Sequence, residues 1–222
     1  AATLCGLLAF IVYATWAAFQ GDHYQWGPYL SPMYSPLIEV DWWPMSPAFL
    51  ILWAPGGFRF TCYYYRKAYY RAFVFTPPAC GVSGKPRNYR GERSLLLFQN
   101  LHRYFLYLAL IFVVILTYDA IIAFKFADGI GIGVGSIVLT MNAAFLAFFT
   151  FGCNSFRHLV GGNVDCYSCV PFGKARHGAW RIVSMFNAHH MGWAWVSLFW
   201  VGFTDLYIRL VSMGVITDIR II

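Results

Sequence analysis

Apolar residues gather into five long stretches, at 1–20, 46–70, 94–126, 129–160 and 179–214, with polar segments between them. Each stretch offers the roughly 20 apolar positions that a membrane-spanning helix requires. Strands of a spanning barrel would instead alternate over segments of about ten residues. The pattern predicts an all-α integral membrane protein, a single domain over 1–222 built as a bundle of five transmembrane helices. The first stretch has no basic leader and runs into an aromatic loop rather than a small-residue cleavage site, so it reads as a true first span with an upstream tail missing. Pro55-Gly56-Gly57 predicts a bend or break in the second helix. No internal repeat or second domain is read from the chain.

Composition agrees with a membrane protein. Apolar residues make up 59% and charged residues 11%, against about 25% charged in soluble domains. The formal charge of +7 is local. Arg66, Lys67, Arg71, Lys85, Arg87, Arg90 and Arg93 lie in or beside loop 71–93, and Arg157, Lys174, Arg176 and Arg181 in or beside loop 161–178. Loop 21–45 has Asp22, Glu39 and Asp41 with no Lys or Arg. The positive-inside rule therefore places the basic loops and the N-terminus in the cytoplasm. That face suits anionic membrane lipids and a soluble partner; no nucleic acid partner is expected. In loop 21–45, Trp26, Tyr29, Tyr34, Trp42 and Trp43 suit an aromatic interface belt.

Ionisable groups at membrane depth are costly and tend to face the bundle interior. Arg59, Cys62 and Arg66 share one helical stripe, Gln99 aligns with His102, Thr150 with Cys153, Asn154, Arg157 and His158, and Ser184 with Asn187 and His190. At about 1.5 Å per residue, Cys62, His102 and Cys153 lie roughly 10–12 Å inside one boundary and His190 about 16 Å. Two cysteines and two histidines at one level suit a Rieske-type [2Fe–2S] centre; two histidines alone suit the axial ligands of a haem. Each alone is as well explained by packing or by a helix–helix hydrogen bond. Cys166 and Cys169 form a C-x-x-C with His158 before and His177 after, a spacing used by zinc and iron–sulfur sites. A cytoplasmic loop predicts free thiols there. Cys5 is expected to be packing.

Thr61 to Arg71, Pro77-Pro78-Ala79-Cys80, Gln99 to Tyr104, Phe151 to His158, Gly161-Gly162, Asn187 to Met191 and Thr204 to Tyr207 resemble the single-chain membrane anchors (cytochrome b-like) of a bacterial, actinobacterial-type (type F) succinate dehydrogenase, respiratory complex II. The resemblance implies a bacterial plasma membrane complex. In it a flavoprotein subunit oxidises succinate, an iron–sulfur subunit passes electrons to the anchor, and the anchor reduces quinone. It also implies a Rieske-type [2Fe–2S] cluster in some members, in place of haem b. Six positions match as ligand candidates: Cys62, Cys153, His102 and His190 first, with Cys80 and His158 second. Asn154 stands where relatives often carry histidine. Tyr64, Arg66, Arg103, Tyr104, His158 and Trp193 are the quinone-binding candidates. A haem-b anchor, a purely structural anchor and a transporter running through Arg59, Asp119 and Asn142 are the alternatives. The last lacks a repeat and a clear pair of broken helices.

Overall fold

The computed structural model describes residues 2–74, 95–162 and 164–221. In chain order the helices are α1 (Ala2–Gln20), α2 (Ala48–Ile51), α3 (Trp53–Thr61), α4 (Tyr63–Tyr69), α5 (Leu95–Ile122), α6 (Val134–Phe151), α7 (Asn154–Arg157), α8 (Gly173–Ala188) and α9 (His190–Ser212). One π-helical turn follows α4 at Tyr70–Val74 and another follows α7 at His158–Gly162. Among the described residues four helices are long and apolar enough to cross a membrane: Ala2–Gln20, Leu97–Ile122, Val134–Phe151 and His190–Ser212.

The expected second span, 46–70, is a run of three short pieces. It turns at Leu52 and breaks at Cys62. Pro55 sits in the first turn of α3, where its missing N–H is tolerated; the turn falls just before it, and Gly56 and Gly57 stay helical. Gly57 is required for another reason, since a Cβ there would run into the Phe105 ring of α5.

The other expected spans shift as well. Residues of 129–160 before Val134 form a hairpin, Lys125–Phe126 with Gly129–Ile130, and the helix after them breaks at Cys153. The stretch 179–214 begins earlier, at Gly173, and divides at His189, whose φ of −108° and ψ of 16° end α8.

In the bundle α5 lies against α3 and α6, α6 packs on α9, and α1 leans on α9 and α4. α1 buries only Leu7, Ala17 and Ala18, leaving most of its apolar surface outward. Cys5, expected as packing, is exposed there. At one end, loop residues knot the bundle together. Asp205 accepts hydrogen bonds from Tyr13 (2.7 Å), Ser31 and Arg209 (2.8 Å), and Arg209 also donates to the carbonyls of Ala17 (2.9 Å) and Asp22 (2.8 Å). Tyr29 and Tyr34, expected in an interface belt, are fully buried in this knot. Tyr34 donates to the Ala17 carbonyl (2.8 Å) and Tyr29 to Asp218 (2.7 Å). Burial pushes the Tyr29 phenol up to about 12. Trp42 faces outward at 73% exposure.

Away from the knot, Phe58, Cys62, Tyr65, Leu106, Phe149, Cys153, Ala194 and Leu198 form one buried cluster. The breaks at Cys62 and Cys153 meet there.

Candidate functional site

These two breaks are the same local structure. At Cys62 the backbone has φ −63° and ψ 131°; at Cys153 it has φ −64° and ψ 137°. Each cysteine closes the preceding helix with a three-residue hydrogen bond, to Arg59 (3.2 Å) or Thr150 (3.2 Å). Each then caps the next helix through its carbonyl, which accepts from the N–H of Arg66 (2.9 Å) or Arg157 (3.0 Å). Neither cysteine side chain caps the helix that follows it.

The sequence repeats with the backbone. Phe-x-Phe-x-Cys-x-x-x-Arg occurs at 58–66 and again at 149–157, correcting the expectations of no repeat and no pair of broken helices.

The repeats serve each other's histidines. Phe58 of the first stacks on His102, with ring centroids 4.6 Å apart, and His102 Nε2 lies 3.0 Å from Cys153 Sγ of the second. Phe149 of the second stacks on His190 at 5.0 Å, and His190 Nε2 lies 4.0 Å from Cys62 Sγ of the first. The four side chains are buried, with Cys62, Cys153 and His190 at 2% exposure and His102 at 7%.

The repeats differ at the residue before each cysteine, Thr61 against Gly152. The Thr61 hydroxyl donates its one proton to the Gly57 carbonyl (2.7 Å), so it accepts from His102 Nδ1 (3.0 Å). His102 therefore carries its hydrogen on Nδ1 and turns the Nε2 lone pair toward Cys153. Gly152 has no such group, and among the described residues the buried His190 Nδ1 has no hydrogen-bond partner. Asn187 pins this break by donating to the Gly152 carbonyl (2.7 Å).

The four side chains line a cavity of about 490 Å³ together with Tyr64, Arg66, Gln99, Asn100, Arg103 and His158, among others. His158 and Arg103 are exposed at its rim, with Arg103 Nη2 3.2 Å from His158 Nδ1. The guanidinium can only donate, so neutral His158 holds its proton on Nε2.

Of the sequence candidates, Tyr64, Arg66, Arg103 and His158 thus converge on the cavity. Tyr104 is 69% exposed and does not line it. Trp193 lies between Phe145 and Phe148 instead. Cys80 lies outside the described residues. Cys166 and Cys169 are joined as a disulfide, contrary to the free thiols expected. The turn at Tyr167–Cys169 brings their Cα atoms to 5.3 Å, within bridging range. Thr61, Phe58, Phe149 and Asn187 were not singled out as site residues, although each phenylalanine stands four residues before a cysteine.

Among the described residues no group of three or more His, Cys, Asp or Glu closes on one point as a single metal ion would require. The donors stand instead as two thiols and two imidazoles lining one cavity. A binuclear cluster draws two protein donors per metal, and this donor set, buried and with the His102 Nε2 lone pair free of a proton, fits such a group.

Residues 1–214 match the family model for the actinobacterial succinate dehydrogenase subunit SdhC. No curated protein matches the chain. Among solved structures, a chain of the Mycobacterium smegmatis Sdh1 complex in the apo form is similar. It is 40% identical with a TM-score of 0.86, over 99% of this chain and 89% of that one.

Proposed function

This chain belongs to the actinobacterial succinate dehydrogenase SdhC family and is a membrane anchor subunit of a succinate dehydrogenase, and from that premise we propose that it carries electrons through a buried Rieske-type [2Fe–2S] cluster to membrane quinone. The observation that carries the proposal is the meeting of two thiols, Cys62 and Cys153, and two imidazoles, His102 and His190, in one buried layer. Cys62 and Cys153 would hold one iron and His102 and His190 the other. A haem b would use the imidazoles and leave both sulfurs idle. When bound, a cluster of this type supplies a one-electron relay at a potential raised by imidazole ligation.

The chain's own residues do the rest. Phe58 and Phe149 stack on the imidazoles and fix their ring planes. Thr61 fixes the His102 tautomer, as an outer hydrogen bond to a metal-binding histidine does. The rim side of the cavity that Cys62, Cys153, His102 and His190 line takes the quinone head. At its rim Arg103 donates to a quinone oxygen, His158 delivers a proton from Nε2, and Tyr64 and Arg66 complete the wall. The broken run α2–α4 makes the fifth crossing. The basic loops and the N-terminus face the bacterial cytoplasm, where the iron–sulfur subunit docks and links the anchor to the succinate-oxidising flavoprotein.

Single Cys62→Ser, Cys153→Ser, His102→Ala and His190→Ala substitutions test the ligand set in the purified complex. Each is expected to lower iron per complex and abolish quinone reduction, while dye reduction by the soluble subunits continues. Full quinone reduction and full iron in any variant removes that residue from the set.

A further inference from the structure

Arg59 lies one turn before Cys62, at the position that Thr150 occupies in the second repeat. Its guanidinium stands 4.9 Å from the centroid of Phe149, the ring stacked on His190, and donates to the hydroxyl of Tyr65, to Ser197 Oγ (3.1 Å) and to the Ala194 carbonyl (3.3 Å). All three acceptors are neutral. Among the described residues no carboxylate lies within ion-pair distance of it. Buried Arg209 is handled differently, since it is neutralised by Asp205 at 2.8 Å, whereas Arg59 is half-buried. An arginine stays protonated in a protein, so the layer has a fixed positive charge on one side.

We propose that Arg59 is a positioning residue that tunes the metal centre, its uncompensated charge raising the centre's reduction potential. The inference rests on the cluster reading above. Reduction adds one electron, and with it one negative charge, to the layer held by Cys62, Cys153, His102 and His190. A nearby cation stabilises the reduced state more than the oxidised one, and the effect is large where water is excluded. Net charge around an iron–sulfur centre is a main determinant of its potential. The neutral hydrogen bonds to Tyr65, Ser197 and Ala194 hold the guanidinium in place without cancelling its charge. The cation stands upstream of quinone and draws the electron into the membrane.

Redox titration of the complex, followed by electron paramagnetic resonance, tests this. Arg59→Gln is expected to shift the midpoint of the membrane [2Fe–2S] signal to lower potential, and Arg59→Lys to keep it near the wild-type value. Ser197→Asp, which sets a carboxylate against the guanidinium and leaves Arg59 in place, is expected to lower it too. If Arg59→Gln strips the signal, Ser197→Asp decides. An unchanged midpoint in whichever of the two retains its signal overturns the proposal, as does a Lys variant shifted as far as Gln. A wild-type complex with no such signal fails the cluster reading itself, which is a different result.

Discussion

His102 and Cys153 meet at 3.0 Å across the interface of α5 with the break after α6, and Thr61 decides which imidazole nitrogen faces the sulfur. Because Nδ1 is held, Nε2 arrives as a lone-pair donor. The same chemistry is not repeated at His190, whose Nδ1 has no partner among the described residues. The two halves are alike in backbone and unlike in hydrogen bonding.

Thr61→Val removes the acceptor while keeping the shape. Loss of such an outer partner weakens metal retention by roughly 10–100-fold. Chelator-driven loss of iron from the complex should be faster by that order than in wild type, with succinate-dependent dye reduction unchanged. Equal rates would mean that the Thr61 contact does not support the site.

Cys166 and Cys169 are bonded to each other and do not line the cavity. Cys166→Ser and Cys169→Ser should therefore leave iron and acid-labile sulfide per complex at the wild-type level. A fall in either would place the C-x-x-C among the ligands.

The Asp205–Arg209 pair is the buried clamp of the capped end. Arg209→Leu strands a buried carboxylate, at a cost of about 3–5 kcal/mol. The thermal midpoint in detergent should drop clearly, and the double Asp205→Leu/Arg209→Leu variant should recover most of the loss. A double variant as unstable as the single would show that the arginine matters for its carbonyl contacts instead.

Gly57→Val drives methyl groups into the Phe105 ring. Overpacking of this kind costs about 1–3 kcal/mol. A lower thermal midpoint is expected, and Gly57→Val/Phe105→Ala should relieve part of it.

Much of this layer is legible in the chain. Cys62, His102, Cys153 and His190 stand out because ionisable and thiol groups are rare in apolar stretches, and helical rise puts them at one depth. What periodicity hides is the break. A ψ near 130° at Cys62 is compatible with any residue and leaves no Gly or Pro signature, so a continuous helix is the natural reading there, while at Cys153 the only mark is Gly152, the C-cap of α6. Pro55-Gly56-Gly57 draws attention to the wrong place, because a proline in the first turn of a helix costs little. The repeated Phe-x-Phe-x-Cys-x-x-x-Arg was the available signal. Its spacing is short and its apolar positions merge with the lipid-facing pattern around it. Tyr29 and Tyr34 mislead for a related reason: composition cannot separate an interface tyrosine from one buried with its hydroxyl satisfied.

The central claim is a histidine-ligated [2Fe–2S] cluster in the membrane layer. It is tested most directly by electron paramagnetic resonance and visible absorption of the purified, dithionite-reduced complex. The account predicts a rhombic signal of low average g without haem b bands, lost in His102→Ala and His190→Ala. Haem b bands without that signal would contradict it and assign the imidazoles to haem.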